Sequence, residues 1–103
     1  MARKQEPAPG WIYRCDDLDA QRCGYCGIRV YDKRYEVDRT TVFLNRYKRT
    51  DFRSLKEVVG VQHKPGRKLV TLTLTLMRAD LIWFKRRDDA ERFVEVMSGA
   101  IGR

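Results

Sequence analysis

The sequence predicts a mainly β domain closed by one C-terminal α-helix, a small antiparallel barrel or strongly bent sheet. Three observations carry this. Residues 69–77 alternate apolar and polar side chains, turn signals separate several short β-prone runs, and the period changes from two to 3.6 after residue 87. With 103 residues the chain supports one core. No apolar run reaches the roughly 18–20 residues of a bilayer span, and Met1–Pro7 leads into no apolar signal segment. The expectation is a soluble, cytoplasmic protein.

From the N-terminus, residues 1–10 are expected to form a flexible tail, 11–33 a cysteine-containing segment and 34–103 the β domain with its helix. Asp17 and Asp19 start a turn or cap a short helical stretch near Leu18–Gln21. Arg34–Asp38, Thr41–Tyr47 and Asp51–Leu55 are strand candidates, followed by Val58–Gln62. Lys64-Pro65-Gly66-Arg67 has the residues of a type II turn, Pro setting φ and Gly taking positive φ. It leads into the clearest strand, 69–77. There Val70, Leu72, Leu74 and Leu76 face inward, and Thr71, Thr73 and Thr75 face water. Met77–Asp80 is expected to connect this strand to Leu81–Phe84, which is apolar on both faces. Phe43, Phe52 and Trp83 are expected in the core or rim of the sheet.

Asp88 and Glu91 fit a capping box. Ala90, Phe93, Val94, Met97 and Ile101 form one apolar stripe, and Gly99 is the expected stop, giving a helix of about ten residues. Its stripe must pack on the sheet, with Leu72, Leu74 and Leu76 against Phe93 and Met97.

The order of strands followed by one amphipathic helix, with Leu81-Ile82-Trp83-Phe84-Lys85 and Asp89-Ala90-Glu91-Arg92-Phe93-Val94, resembles a pleckstrin-homology-like domain, the bacterial versions most closely. The resemblance spans residues 34–101 and departs from the family in offering six strand candidates rather than seven. It implies a binding scaffold that meets its ligand at a loop rim or sheet edge.

All three cysteines lie early in the chain. Arg22-Cys23-Gly24-Tyr25-Cys26-Gly27 resembles a zinc-ribbon knuckle, and Tyr13-Arg14-Cys15 the start of the preceding one, as in the small zinc-ribbon subunits of eukaryotic and archaeal RNA polymerases. Structural zinc takes four ligands, and a second cysteine after Cys15 is missing. The candidate set is therefore Cys15, Cys23 and Cys26 with His63, or with a carboxylate such as Asp17. The alternatives are a ribbon that has lost its metal, a C-x-x-C redox pair, or buried thiols. The extended pattern of Ile28–Tyr31 disfavours the redox pair, which should open a helix.

Twenty-two basic against fourteen acidic side chains give a net charge of +8, divided equally between residues 1–50 and 51–103. Basic residues cluster at Arg46-Tyr47-Lys48-Arg49, at Lys64, Arg67 and Lys68, and at Lys85-Arg86-Arg87. They form either a solvated surface or an anion-binding rim. Tyr47, between cations at a turn, is the aromatic expected to be exposed. No catalytic or nucleotide-binding motif is present and there is one histidine, so catalysis is not expected. The function expected is non-enzymatic binding of a macromolecule through the basic turns. A protein with acidic patches is the first choice; nucleic acid and an anionic membrane surface are the alternatives.

Overall fold

A computed structural model describes residues 10–40 and 48–102. The elements are β1 (Tyr13–Cys15), α1 (Ala20–Cys23), β2 (Tyr25–Val30), β3 (Arg34–Thr40), β4 (Lys48–Ser54), β5 (Val58–Gln62), β6 (Leu69–Leu74), β7 (Arg78–Trp83) and α2 (Arg87–Ile101), with a 3-10 turn at Leu55–Glu57. They make two antiparallel sheets, one in the order β1-β2-β3-β4 and one in the order β5-β6-β7. A bridge between Leu18 and Phe84 links the segment after β1 to the end of β7. No helix among the described residues is long and apolar enough to cross a membrane.

Among the described residues there are seven strands, and two of them, β1 and β2, come from residues 11–33 and join the same sheet as β3 and β4. The expected strand at Thr41–Tyr47 lies outside the described residues. Thr alternation works as expected through Leu74: Val70, Leu72 and Leu74 are buried, while Leu69, Thr71 and Thr73 are partly exposed. Beyond that point the alternation fails. β6 stops at Leu74, and Leu76 and Met77 both take left-handed φ, +62° and +57°. Leu76 is thereby turned outward rather than into the core. For side chains with a Cβ this conformation costs about 1–2 kcal/mol per residue.

The turn at Lys64–Arg67 forms as its residues require. Arg67 N–H donates to the Lys64 carbonyl at 3.0 Å, and Gly66 has φ +82°. Of the expected connector Met77–Asp80, only Met77 lies in the turn; Arg78–Asp80 are the first half of β7, paired to Leu72–Leu74 of β6.

In the core, α2 lays Ala90, Phe93, Met97 and Ala100 against the sheets. Phe93 meets Tyr13 and Phe84, with ring centroids 5.6 and 5.3 Å apart, and shares one cluster with Leu72, Leu74 and Ile82. The Tyr13 hydroxyl donates to the Asp89 carbonyl, fastening the helix to β1. The helix runs to Ile101 rather than stopping at Gly99, because Ala100 extends the buried stripe one turn further. Its N-cap position is Arg86, with no side-chain cap; Asp88 and Asp89 lie inside the first turn, where they complement the helix dipole.

The sheets are also joined by a buried polar cluster. Asp80 on β7 accepts from the hydroxyls of Tyr25 (2.8 Å) and Tyr35 and from Nε of Arg53 (3.2 Å), so one carboxylate ties β2, β3 and β4 to the second sheet. Burial, helped by the bond to Asp80, pushes the Tyr25 phenol up to about 12, and raises Tyr35 further for the same reasons.

Candidate functional site: a basic groove at one end of the second sheet

α1 is a single turn, ended by Gly24 at φ +80°, whose N–H closes it on the Ala20 carbonyl. Asp19 precedes it but makes no cap bond; its carboxylate pairs with Arg22 at 3.2 Å. The backbone N–H of Asp19 donates to the Trp83 carbonyl, which pins α1 beside the end of β7. This places the Arg22 guanidinium over the Trp83 indole, 4.8 Å from its centroid.

Opposite α1 stands the β5–β6 turn. Between them lies an open groove of about 840 Å³, reached by Gln62, Lys64, Arg67 and Lys68 from the turn and by Arg22 and Lys85 from the other side. Leu69, Thr71 and Trp83, on the outward side of β6 and β7, also line it. Two of its cations are already matched: Arg22 by Asp19, and Lys85 by Asp17 at 3.2 Å. Lys64, Arg67 and Lys68 have no such ion pair among the described residues, so their charge is available to an anion.

The predicted partner-binding residues thus divide. Lys64, Arg67, Lys68 and Lys85 meet in the groove. Arg86 approaches Asp17 at 4.0 Å. Arg49 is held by Asp51 at 3.1 Å, and Asp51 is shared with Arg39 at 2.7 Å. Burial works against ionisation of Asp51, yet the Arg39 and Arg49 bonds outweigh it and hold that carboxyl below its usual value. Arg46 and Tyr47, with the Lys48 side chain, lie outside the described residues. Arg22 and Trp83 were not among the sequence candidates for binding. Phe52, expected at the core or rim, is 63% exposed on the outside of the first sheet, 6.0 Å from the Arg34 guanidinium.

Of the candidate metal ligands, Cys15, Cys23 and His63 have other partners. Cys15 is buried in the core with its thiol 3.9 Å from the Asp89 carboxylate, and burial raises its pKa. The Cys23 thiol donates to the Asp19 and Tyr25 carbonyls, closing α1. Cys26 is half-buried at the bulge in β2. His63 Nε2 bonds the Arg67 carbonyl across the β5–β6 turn. Among the described residues, no three His, Cys, Asp or Glu side chains form a metal-holding group.

Comparison with protein-family models, curated proteins and solved structures finds no match.

Proposed function

We propose that the chain is a non-catalytic binding domain whose basic groove takes an acidic polypeptide segment of a partner protein. The observation that carries this reading is the meeting of Lys64, Arg67 and Lys68 with the Arg22–Trp83 stack over one open groove. Unpaired cations supply steering and charge complementarity. The Trp83 ring and Leu69 supply apolar surface, and Gln62 and Thr71 supply hydrogen-bonding groups. An extended segment with acidic side chains at intervals matches all three.

The indole beside several cations favours a second reading, in which a single-stranded nucleic acid stacks a base on Trp83. Tryptophan fluorescence separates the two. A Glu-rich peptide that changes the emission, with loss of the effect in Lys64→Glu/Arg67→Glu/Lys68→Glu, supports the peptide reading. A response to an oligonucleotide alone, steeply weakened by salt, replaces it with the second. No response to either probe overturns the groove as a binding site.

The finer architecture, a pleckstrin-homology-like barrel in an intracellular protein, belongs to this proposal; its support is the strand order followed by the docked α2. Zinc held by Cys15, Cys23, Cys26 and either His63 or a carboxylate is a separate proposal, resting on the C-x-x-C-G spacing. Elemental analysis of the purified protein tests it: one zinc per chain sustains it, and none ends it.

A further inference from the structure

The other end of the second sheet has a different character. The β6–β7 connection projects Leu76 and Met77, 83% and 100% exposed, from two successive residues at left-handed φ. Asn and Gly adopt that conformation readily, so leucine and methionine here run against local preference. A strained backbone persists only where the surrounding structure imposes it, and here the support is visible. Thr75 N–H donates to the Glu57 carbonyl, and Arg78 pairs with the Glu57 carboxylate at 2.7 Å. The hairpin is therefore braced on the 3-10 turn rather than left to relax.

The surroundings of the tip indicate what it meets. Val59, 62% exposed, adds apolar surface at the adjacent start of β5. Exposed Lys56 sits in the 3-10 turn, and exposed Lys33 lies beside it, its carbonyl accepting from the Leu55 N–H. Neither lysine has an ion pair among the described residues. The acids at this end are Glu57, taken up by Arg78, and Asp32 in the neighbouring β2–β3 turn. A convex pair of flexible aliphatic side chains has no aromatic ring or directional polar group, the features that anchor protein–protein contacts. It suits an unstructured apolar phase, with lysines at the level of charged headgroups.

We infer that Leu76 and Met77 form an apolar wedge that inserts into an anionic lipid surface, with Lys33 and Lys56 held at the headgroups. The wedge is remote from the basic groove and does not depend on the function assigned to it. Single insertion of this size is weak and reversible, and net positive charge adds to it.

Co-sedimentation of the full chain with vesicles tests the inference. The wild type is expected to pellet with phosphatidylcholine vesicles containing roughly a third phosphatidylserine, and to remain in solution with phosphatidylcholine alone. Leu76→Asn/Met77→Gly is expected to reduce partition about tenfold or more. Because those residues accept left-handed φ, the same variant is expected to melt roughly 5–10 °C higher, which separates lost insertion from lost folding. Lys33→Glu/Lys56→Glu is expected to reduce binding to the anionic vesicles while the tip stays intact. The inference is overturned if the wild type does not pellet with anionic vesicles, pellets equally with neutral ones, or if the tip variant pellets as well as the wild type.

Discussion

The two hairpin turns of the second sheet sit at its opposite ends and solve the same geometric problem in opposite ways. Between β5 and β6, Pro65 and Gly66 stand where a turn wants a fixed φ and a positive one, and the backbone is unstrained. Between β6 and β7, leucine and methionine occupy positive φ, and neighbouring groups hold them there. At the first turn the distinctive feature is the charge it carries, Lys64, Arg67 and Lys68. At the second it is the exposure of two apolar side chains at a conformational cost. A turn that follows local chemistry leaves its side chains free to vary. One that violates it indicates that the particular residues matter.

Both turns rest on a sheet that the Asp80 cluster ties to β2, β3 and β4, and removing that tie is the largest effect expected. Asp80→Ala should strand Arg53 and the Tyr25 and Tyr35 hydroxyls inside the protein, lowering stability by about 3–5 kcal/mol in urea melts and loosening both turns. High pH probes the same cluster. Tyr25 and Tyr35 have folded pKa values raised above the unfolded value of 10.0. The folded state therefore retains protons that the unfolded state releases. The stabilisation is complete below pH 10.0 and should fall as pH rises from there through about 12. Denaturant midpoints should shift downward over that window, with the buried phenols ionising on unfolding. Tyr25→Phe should remove part of this dependence.

Smaller substitutions at the turns should have opposite signs. Leu76→Asn/Met77→Gly should stabilise by about 2 kcal/mol through release of strain. Gly66→Ala should destabilise by about 1 kcal/mol: open space surrounds a Cβ there, so conformation rather than a clash sets the penalty. Equal signs in chemical denaturation would break the contrast between the turns. The smallest effect on stability is expected from Lys64→Glu/Arg67→Glu/Lys68→Glu, within about 0.5 kcal/mol, because all three side chains are exposed. A larger loss would show that the groove's charge serves the fold.

Much of this fold was legible because its signals are local. The Leu–Thr alternation through Leu74, the apolar stripe of α2 and the Pro65–Gly66 turn each depend on residues adjacent in the chain. The misses share a cause. Arg78-Ala79-Asp80 resembles a polar connector until Tyr25, Tyr35 and Arg53 arrive from 55, 45 and 27 residues away to satisfy Asp80. β1 has three residues, too few for a period, and is sustained by pairing with β2. At the groove, the basic residues of 64–68 could be foreseen from the sequence. Arg22 and Trp83 could not, since their stacking depends on α1 being pinned to the end of β7.

By itself the amino-acid order determined that strands come first and one helix follows, which side of β6 is apolar, and where the chain turns back at Gly66. These are properties of short windows, set by side-chain periodicity and backbone preference. Tertiary structure alone decided that a carboxylate could be buried at Asp80, that Leu76 would leave the core, and that cations from three segments would share one groove. Those outcomes depend on groups brought together from distant parts of the chain, and their energies exist only once the sheets and helix have packed.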